Sequence, residues 1–247
     1  MEIDSLIPGR RPATAWRAAV LLLLAWQGTA ALPAQKQDAS SVIRGVDAAV
    51  RARFEGIAEY TVLEHYAIFR GGSASKPMAE MTVKDHYRKD SGKSYTIVSQ
   101  SGPEIIKKMA FGSLLDSEKR INDPATREAS WLTSANYVMK LKPGGPERIG
   151  GRQCFAVTIT PRQSVANLIV GTIWVDAKDD SIVEIRGMLS KNPSVWTGPT
   201  QITRQYARVS GFAMAAHARA ESNSFLFGKI VVTVDYQDYH LQLRPEN

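Results

Sequence analysis

The feature that most constrains the fold is the series of short, alternating segments that fills the sequence from Tyr137 onward. Segments such as "ERIGGRQCFAVTITPR", "TQITRQYARVSG" and "KIVVTVDYQDYHL" are punctuated by Gly, Asn or Asp, which is typical of consecutive strands. No helical crossover separates them, so we expect a meander of antiparallel strands. Long meanders of this kind curl into a barrel or a strongly bent open sheet.

Two helices are predicted before this sheet. Residues 40–57 carry apolar side chains at spacings of three and four, the pattern of an amphipathic helix. Residues 103–121 begin with Pro and contain several large apolar side chains, but Gly112 is a weak point in this second helix. Strands are also predicted over residues 59–72 and in a hairpin over residues 78–102. The fold class is therefore α+β, with the helices packed on or inside the curved sheet.

The hairpin "GTIWVDAKDDSIVEIRG" (171–187) contains a strand with apolar side chains on both faces. Side chains alternate along a strand, so Ile173 and Val175 share one face and Trp174 lies on the other. The same rule places Val183 and Ile185 together in the second strand. Because Trp174 opposes Ile173 and Val175, both faces of the first strand are apolar.

The amino terminus predicts export. Arg10, Arg11 and Arg17 precede a nine-residue apolar run from Ala18 to Trp26, followed by small residues. This is the pattern of a secretory signal peptide, and the run is shorter than the roughly 20 residues of a membrane span. We expect a signal peptide at residues 1–34, cleavage near Ala34, and a single exported domain at residues 35–247. We place the mature protein in the periplasm.

Charge and cysteine content narrow the possible partners. The formal net charge is +7, and it falls to +6 when the three arginines and two acidic residues of the signal peptide are removed. The basic residues form no stripe, so nucleic acid is not expected, whereas an anionic membrane surface remains possible. Cys154 is the only cysteine, which excludes an internal disulfide. We expect a monomer.

The sequence contains no recognisable catalytic or cofactor-binding motif. It has neither a nucleotide-binding glycine motif nor a Gly-x-Ser-x-Gly nucleophile elbow. The four histidines (His65, His86, His217 and His240) stand singly, without the spacing of metal ligands. We therefore predict no metal, no cofactor and no enzymatic activity. An enzyme with an unrecognised site remains one alternative.

Five segments of the second half resemble one family when taken in order: "GGRQCFAVTITPR", "GTIWVDAKDDSIVEIRG", "NPSVWTGP", "YARVSGFAMAAHARAES" and "FGKIVVTVDYQDY". They are similar to the outer-membrane lipoprotein-sorting proteins, which include the lipoprotein carrier LolA, and to the related folds of LolB and the sigma-factor regulator RseB. The resemblance implies an incomplete antiparallel β-barrel wrapped around a few helices. It also implies an apolar cavity that holds lipid acyl chains.

With this resemblance the protein is expected to bind lipid acyl chains or lipoproteins and to sort them to the outer membrane. A half-open sheet needs apolar residues for both its core and its ligand, and the candidates for the cavity are Trp131, Met139, Leu141, Phe155, Val157, Ile159, Trp174, Val183 and Ile185. The segment 103–121 is the candidate lid, with Met109, Gly112 and Leu114. An envelope-stress sensor of RseB-like fold is the other alternative.

Overall fold

The computed structural model describes residues 38–71, 76–163, 167–191, 198–224 and 228–245. They all belong to one of the two compact units into which the chain divides, Lys36–Asn247. The predicted signal peptide of residues 1–34 and its cleavage site lie outside the described residues, so export and the boundary of the mature domain remain predictions. Within the described ranges, none of the helices has the length and apolar character needed to cross a membrane.

Eleven strands of the described residues form one antiparallel sheet. They are β1 (Ile57–Arg70), β2 (Ala79–Arg88), β3 (Gly92–Ser101), β4 (Tyr137–Leu141), β5 (Glu147–Ile149), β6 (Arg152–Pro161), β7 (Ile169–Asp176), β8 (Ile182–Leu189), β9 (Gln201–Val209), β10 (Phe212–Ser224) and β11 (Gly228–Leu243). The order across the sheet is β3-β2-β1-β11-β10-β9-β8-β7-β6-β4, and β5 also pairs with β6. Among the described strands β3 and β4 are the two edges, so the barrel is incomplete.

The helices are few. Helix α1 spans Ala39–Gly56. Its N-cap is Asp38, whose side chain accepts a hydrogen bond from the backbone N–H of Ser40. The segment after β3 is a short α2 (Glu104–Ile106), a π-helical turn (Lys107–Phe111) and α3 (Gly112–Ile121). A 3₁₀ turn (Arg127–Ser130) leads towards β4.

The helices cover two different parts of the sheet. Val42 and Val46 of α1 are fully buried in a cluster with Val157 of β6, Ile173 of β7 and Ile185 of β8. The second helical segment forms a separate cluster with strands β1 and β2, where Phe111 packs edge-on against Tyr66 at 6.4 Å between ring centroids. Two helical segments on one open sheet leave a space between them.

The fold class is confirmed: the protein is α+β, with a large open antiparallel sheet around a few helices. Side chains also alternate along β6: Phe155, Val157 and Ile159 lie in the cluster under α1, while Cys154 and Ala156 lie in a different one. The predicted weak point at Gly112 has helical backbone angles (φ −55°, ψ −48°). The irregularity of this segment is the π-helical turn immediately before it.

Candidate ligand-binding cavity

A cavity of about 380 Å³ lies between the carboxyl-terminal half of α1, the end of α3, the 3₁₀ turn and the sheet. Its wall includes Ala49, Arg53 and Phe54 from α1 together with Glu118 and Ile121 from α3. The rest of the wall comes from strands β1, β3, β4, β7, β8, β9, β10 and β11 and from loops beside them. Binding sites for small molecules occupy roughly 300–1,000 Å³, so the cavity is large enough for one.

One side of the cavity is aromatic and aliphatic. The indole of Trp131 stacks on the ring of Phe54, with 4.4 Å between centroids and 10° between planes. The loop that carries Trp131 is held against α1 because Asp47 accepts a 2.7 Å hydrogen bond from the backbone N–H of Ser134. The aliphatic lining residues are Val50, Ile121, Leu132, Ile169, Ile182 and Ile185. This side offers a contact surface for an apolar ligand.

Another side of the cavity carries a buried group of charges. The Nζ atom of Lys93 lies 3.0 Å from a carboxylate oxygen of Glu64 and 3.3 Å from one of Glu118, and it also contacts the carboxylate of Asp85. The Tyr66 hydroxyl donates a 2.5 Å hydrogen bond to the other oxygen of Glu64. Glu64 and Asp85 are almost completely buried. The single ammonium group of Lys93 therefore contacts the side-chain oxygens of three acidic residues.

Local backbone geometry places Lys93 in this group. Gly92 begins β3 with a φ of +80°, a left-handed conformation that glycine adopts without steric cost. A Cβ atom at this position would come within 2.8 Å of the backbone oxygen of Asn122, at the end of α3. Glycine therefore lets the β2–β3 hairpin approach α3 closely, which brings Lys93 within reach of Glu118.

The charge group has opposite effects on its two buried acids. Burial by itself raises the pKa of Glu64, but the charge of Lys93 and the hydrogen bonds from Asp85, Tyr66 and Lys93 lower it below its ordinary value. Burial raises the pKa of Asp85 to about 7, and the neighbouring Glu64 adds to the rise against the attraction of Lys93. Glu64 is thus the ionised partner of Lys93, and Asp85 keeps its proton to a higher pH than Glu64 does.

The arginines on the wall differ in their partners. Arg208 forms an ion pair with Asp179, and Arg127 donates a 2.5 Å hydrogen bond to the backbone oxygen of Lys89. Burial lowers the pKa of Arg204, but the neighbouring Tyr206 side chain raises it. The Nε atoms of Arg53 and Arg204, and the indole nitrogen of Trp131, are buried without a hydrogen-bond partner among the described residues.

The structure divides the residues predicted to line the cavity into three sets. Trp131 and Ile185 are on its wall. Met139, Phe155, Val157 and Ile159 belong to the core cluster under α1, and Leu141 packs against that cluster. Trp174 and Val183 lie in a separate cluster with Cys154 and Ala156. The guanidinium of Arg186 covers the Trp174 ring at 4.8 Å from its centroid, and the Trp174 N–H donates to Glu147 at 2.5 Å.

Val183 lies on a different face from the one that alternation predicted. The register shifts between β7 and β8, so that Val175 pairs with Ile182 while Trp174 pairs with Glu184. Val183 is the extra residue in this bulge, and it packs with Trp174 instead of sharing the core face with Ile185. A single inserted residue reverses the face of its neighbours, which the period-two rule cannot anticipate.

Two of the residues proposed for the lid, Gly112 and Leu114, are not among the described residues of the cavity wall. Gly112 begins α3, and Leu114 packs against the cluster formed with β1 and β2. The backbone of Met109 lies in the π-helical turn; its side chain lies outside the described residues. The same helical segment reaches the cavity through Glu118 and Ile121.

The sequence analysis missed the charge group because it searched for known motifs and for metal-ligand spacing, and the group has neither. Glu64 and the adjacent His65 point to opposite faces of β1: Glu64 is buried, and His65 pairs with Glu80 on the neighbouring strand at 3.3 Å. The signal that could have found the group is a charge at an otherwise apolar alternate position, as Glu64 is between Val62 and Tyr66. Within the described part of the chain, no three histidine, cysteine or acidic side chains are arranged to hold a metal ion.

No protein-family model matches the chain, and no curated protein does either. Among solved structures it is similar to an outer-membrane lipoprotein-sorting protein domain from Vibrio parahaemolyticus, at 12% identity and a TM-score of 0.48, over 85% of this chain and 96% of that one. It is also similar to a LolA superfamily protein from Nitrosomonas europaea, at 11% identity and a TM-score of 0.44, over 84% and 94%. The MucA/MucB complex of Pseudomonas aeruginosa matches at 12% identity and a TM-score of 0.26, over 84% and 99%. These structures include the family that the motifs resemble, and at such identities the similarity concerns the fold alone.

Proposed function

We propose that this protein is an exported binding protein that holds an acyl chain of a lipid or lipoprotein in the cavity between α1 and α3. The observation that carries the proposal is the aromatic and aliphatic side of that cavity, where Phe54 and Trp131 stack beside Leu132, Ile182 and Ile185. An acyl chain gains about 0.8 kcal/mol for each CH₂ group removed from water. A chain in contact with this surface would be bound without any catalytic group.

The sequence supports the same function. A signal peptide at residues 1–34 would deliver the protein to the periplasm, where lipoproteins in transit need a carrier that shields their acyl chains. The order of motifs after Glu147, similar to that of lipoprotein-sorting proteins, agrees with this role. Binding of this kind requires neither a cofactor nor an enzyme, and a monomer suffices.

Uptake and release need a movable part, and we assign that role to the segment Glu104–Ile121. Its π-helical turn interrupts the regular α-helical hydrogen bonding, and its last turn supplies Glu118 and Ile121 to the cavity wall. Ser117 of the same segment donates a 3.2 Å hydrogen bond to the side chain of Asn167, which lines the cavity. Breaking this contact and the ion pair between Glu118 and Lys93 would open the cavity on the α3 side.

Extraction of the native protein tests this function. The protein should be purified from the periplasm without detergent, extracted with organic solvent, and analysed by mass spectrometry. The proposal predicts lipids that carry acyl chains, at a ratio near one per protein. A protein that is folded by circular dichroism but yields no acyl compound, and takes up none when mixed with lipid vesicles, would favour the sensor or enzyme alternatives.

A further inference from the structure

Three N–H donors at the cavity wall have no acceptor in the part of the chain that the structure describes. They are Nε of Arg53 on α1, Nε of Arg204 on β9, and Nε1 of Trp131 after the 3₁₀ turn. All three side chains line the cavity. None of the three atoms is accessible to solvent or finds a partner among the described residues. Buried donors in native proteins are nearly always paired, so this set calls for an acceptor from outside the chain.

Two of these donors belong to permanent cations that no carboxylate neutralises at ion-pair distance among the described residues. Two other cations on the wall are compensated: Lys93 contacts Glu64 and Glu118, and Arg208 pairs with Asp179. Arg53 instead lies over the Phe54 ring at 4.9 Å, and Arg127 donates to the backbone oxygen of Lys89. Among the described residues the remaining positive charge of the wall therefore belongs to Arg53, Arg127 and Arg204, and of these Arg53 and Arg204 also carry an unpaired Nε.

Arg204 stays charged in this setting. Burial alone lowers the pKa of Arg204, but Tyr206, Tyr236 and Glu118 raise it above its ordinary value. The Nε atom of this guanidinium has no hydrogen-bond partner among the described residues. Guanidinium groups bind carboxylate and phosphate oxygens with more than one N–H at a time, which suits them to an anionic group.

Resting on the proposed function, we infer that the ligand of this cavity is an amphiphile with an anionic oxygen group, a carboxylate or a phosphate, which accepts hydrogen bonds from Arg53, Arg204 and Trp131. The acyl chain contacts the aliphatic side of the cavity, and the headgroup lies among the three donors. Trp131 belongs to both parts, because its ring stacks on Phe54 while its N–H is unpaired. The cavity thus selects charged lipids over neutral ones of the same chain length.

Three probes of equal chain length test this inference by isothermal titration calorimetry with the full mature protein: palmitate, palmitoyl lysophosphatidic acid and monopalmitoylglycerol. We expect at least one anionic probe to bind about tenfold or more tightly than the neutral glyceride. Whichever of palmitate and lysophosphatidic acid binds more tightly identifies the headgroup as a carboxylate or a phosphate. Glycerophosphate, which has no chain, is the fourth probe.

Substitutions then connect the preference to the arginines. Arg53→Met and Arg204→Met should each weaken the binding of the anionic probes more than the binding of the glyceride, and so reduce the preference for the anionic probes. If Arg204→Met does not fold, Arg204→Lys takes its place. This variant keeps the positive charge without the planar guanidinium, so it should retain only part of the preference for the anionic probes. The matched control is Arg51→Met, since Arg51 is exposed on the same helix as Arg53.

The outcomes separate the inference from the proposed function. Equal affinity for anionic and neutral probes would overturn the inference and leave the acyl carrier in place. Binding of glycerophosphate alone would overturn the carrier and support the anion site. If none of the four probes binds to folded protein, both are wrong.

Discussion

The Nζ atom of Lys93 lies 3.0 Å from Oε1 of Glu64, although the two side chains come from strands separated by β2 and are only 7% and 2% exposed. A buried charge is tolerated only when it is paired. This pair therefore fixes the end of the β2–β3 hairpin against β1 and α3, and with it one wall of the cavity.

Removing the cation should destabilise the protein strongly. Lys93→Met would leave the ionised Glu64 buried without a counter-ion, which we expect to lower the free energy of unfolding by about 3–5 kcal/mol. Lys84→Met is the matched control, because Lys84 is exposed on β2, and it should change stability by less than about 0.5 kcal/mol. Urea denaturation measures both. Equal midpoints for the two variants would show that the buried pair contributes nothing to stability.

The raised pKa of Asp85 predicts a pH dependence. Its ordinary value of 3.8 becomes about 7 in the folded protein, chiefly through burial. Between about pH 4 and 7 the Asp85 carboxyl thus keeps a proton in the folded protein that it loses in the unfolded chain. Its contribution to the free energy of unfolding is complete below about pH 4, declines across this range, and is lost once the pH has passed about 7.

Comparison with Asp85→Asn isolates this contribution. The stability of the wild type relative to Asp85→Asn should fall between about pH 4 and 7, by up to about 1.4 kcal/mol per pH unit. The exposed turn residue Asp90 provides the control variant Asp90→Asn, for which no such slope is expected. Denaturation series at several pH values give the result, and a difference that stays constant with pH would contradict the assignment.

Substitutions of Trp131 and Trp174 should differ in their effect on the binding of an acyl ligand. Trp131 stacks on Phe54 at the cavity wall, whereas Trp174 lies under Arg186 in a separate cluster. Trp131→Ala should weaken the binding of an acyl ligand about tenfold, because a large apolar contact is lost. Trp174→Ala should lower the melting temperature and leave the affinity unchanged. The reverse result would place the acyl chain on the other side of the sheet.

These two residues also show how far the sequence could predict the site. Alternation correctly separated Trp174 from Ile173 and Val175, and it predicted the strands, the first helix and the open sheet. It could not decide which face the helices cover, because period two gives opposite faces without saying which is inside. The charge group escaped prediction for a related reason: Glu64, Asp85 and Lys93 meet through the register of three strands and the close approach that Gly92 permits.

A disulfide between α3 and a residue that precedes β7 tests whether α3 must move for the ligand to enter and leave. Ser117→Cys with Asn167→Cys, in a Cys154→Ala background, would join α3 to the start of β7, where the two side chains already form a 3.2 Å hydrogen bond. The oxidised protein should take up and release an acyl probe more slowly than the same protein after reduction. Asn167→Cys alone controls for backbone strain, since φ is +72° at this residue. Identical rates before and after reduction would show that α3 does not gate the cavity.

The central claim is that the acyl chain occupies the cavity, and two neighbouring residues of α1 test it most directly. Ala49 lines the cavity, whereas Ala48 is exposed. Titration of a fluorescent fatty-acyl probe should give micromolar or tighter binding to the wild type and to Ala48→Trp, and little or none to Ala49→Trp, whose indole fills the space. If Ala49→Trp is folded by circular dichroism and still binds the probe as the wild type does, the chain lies elsewhere and the claim is wrong.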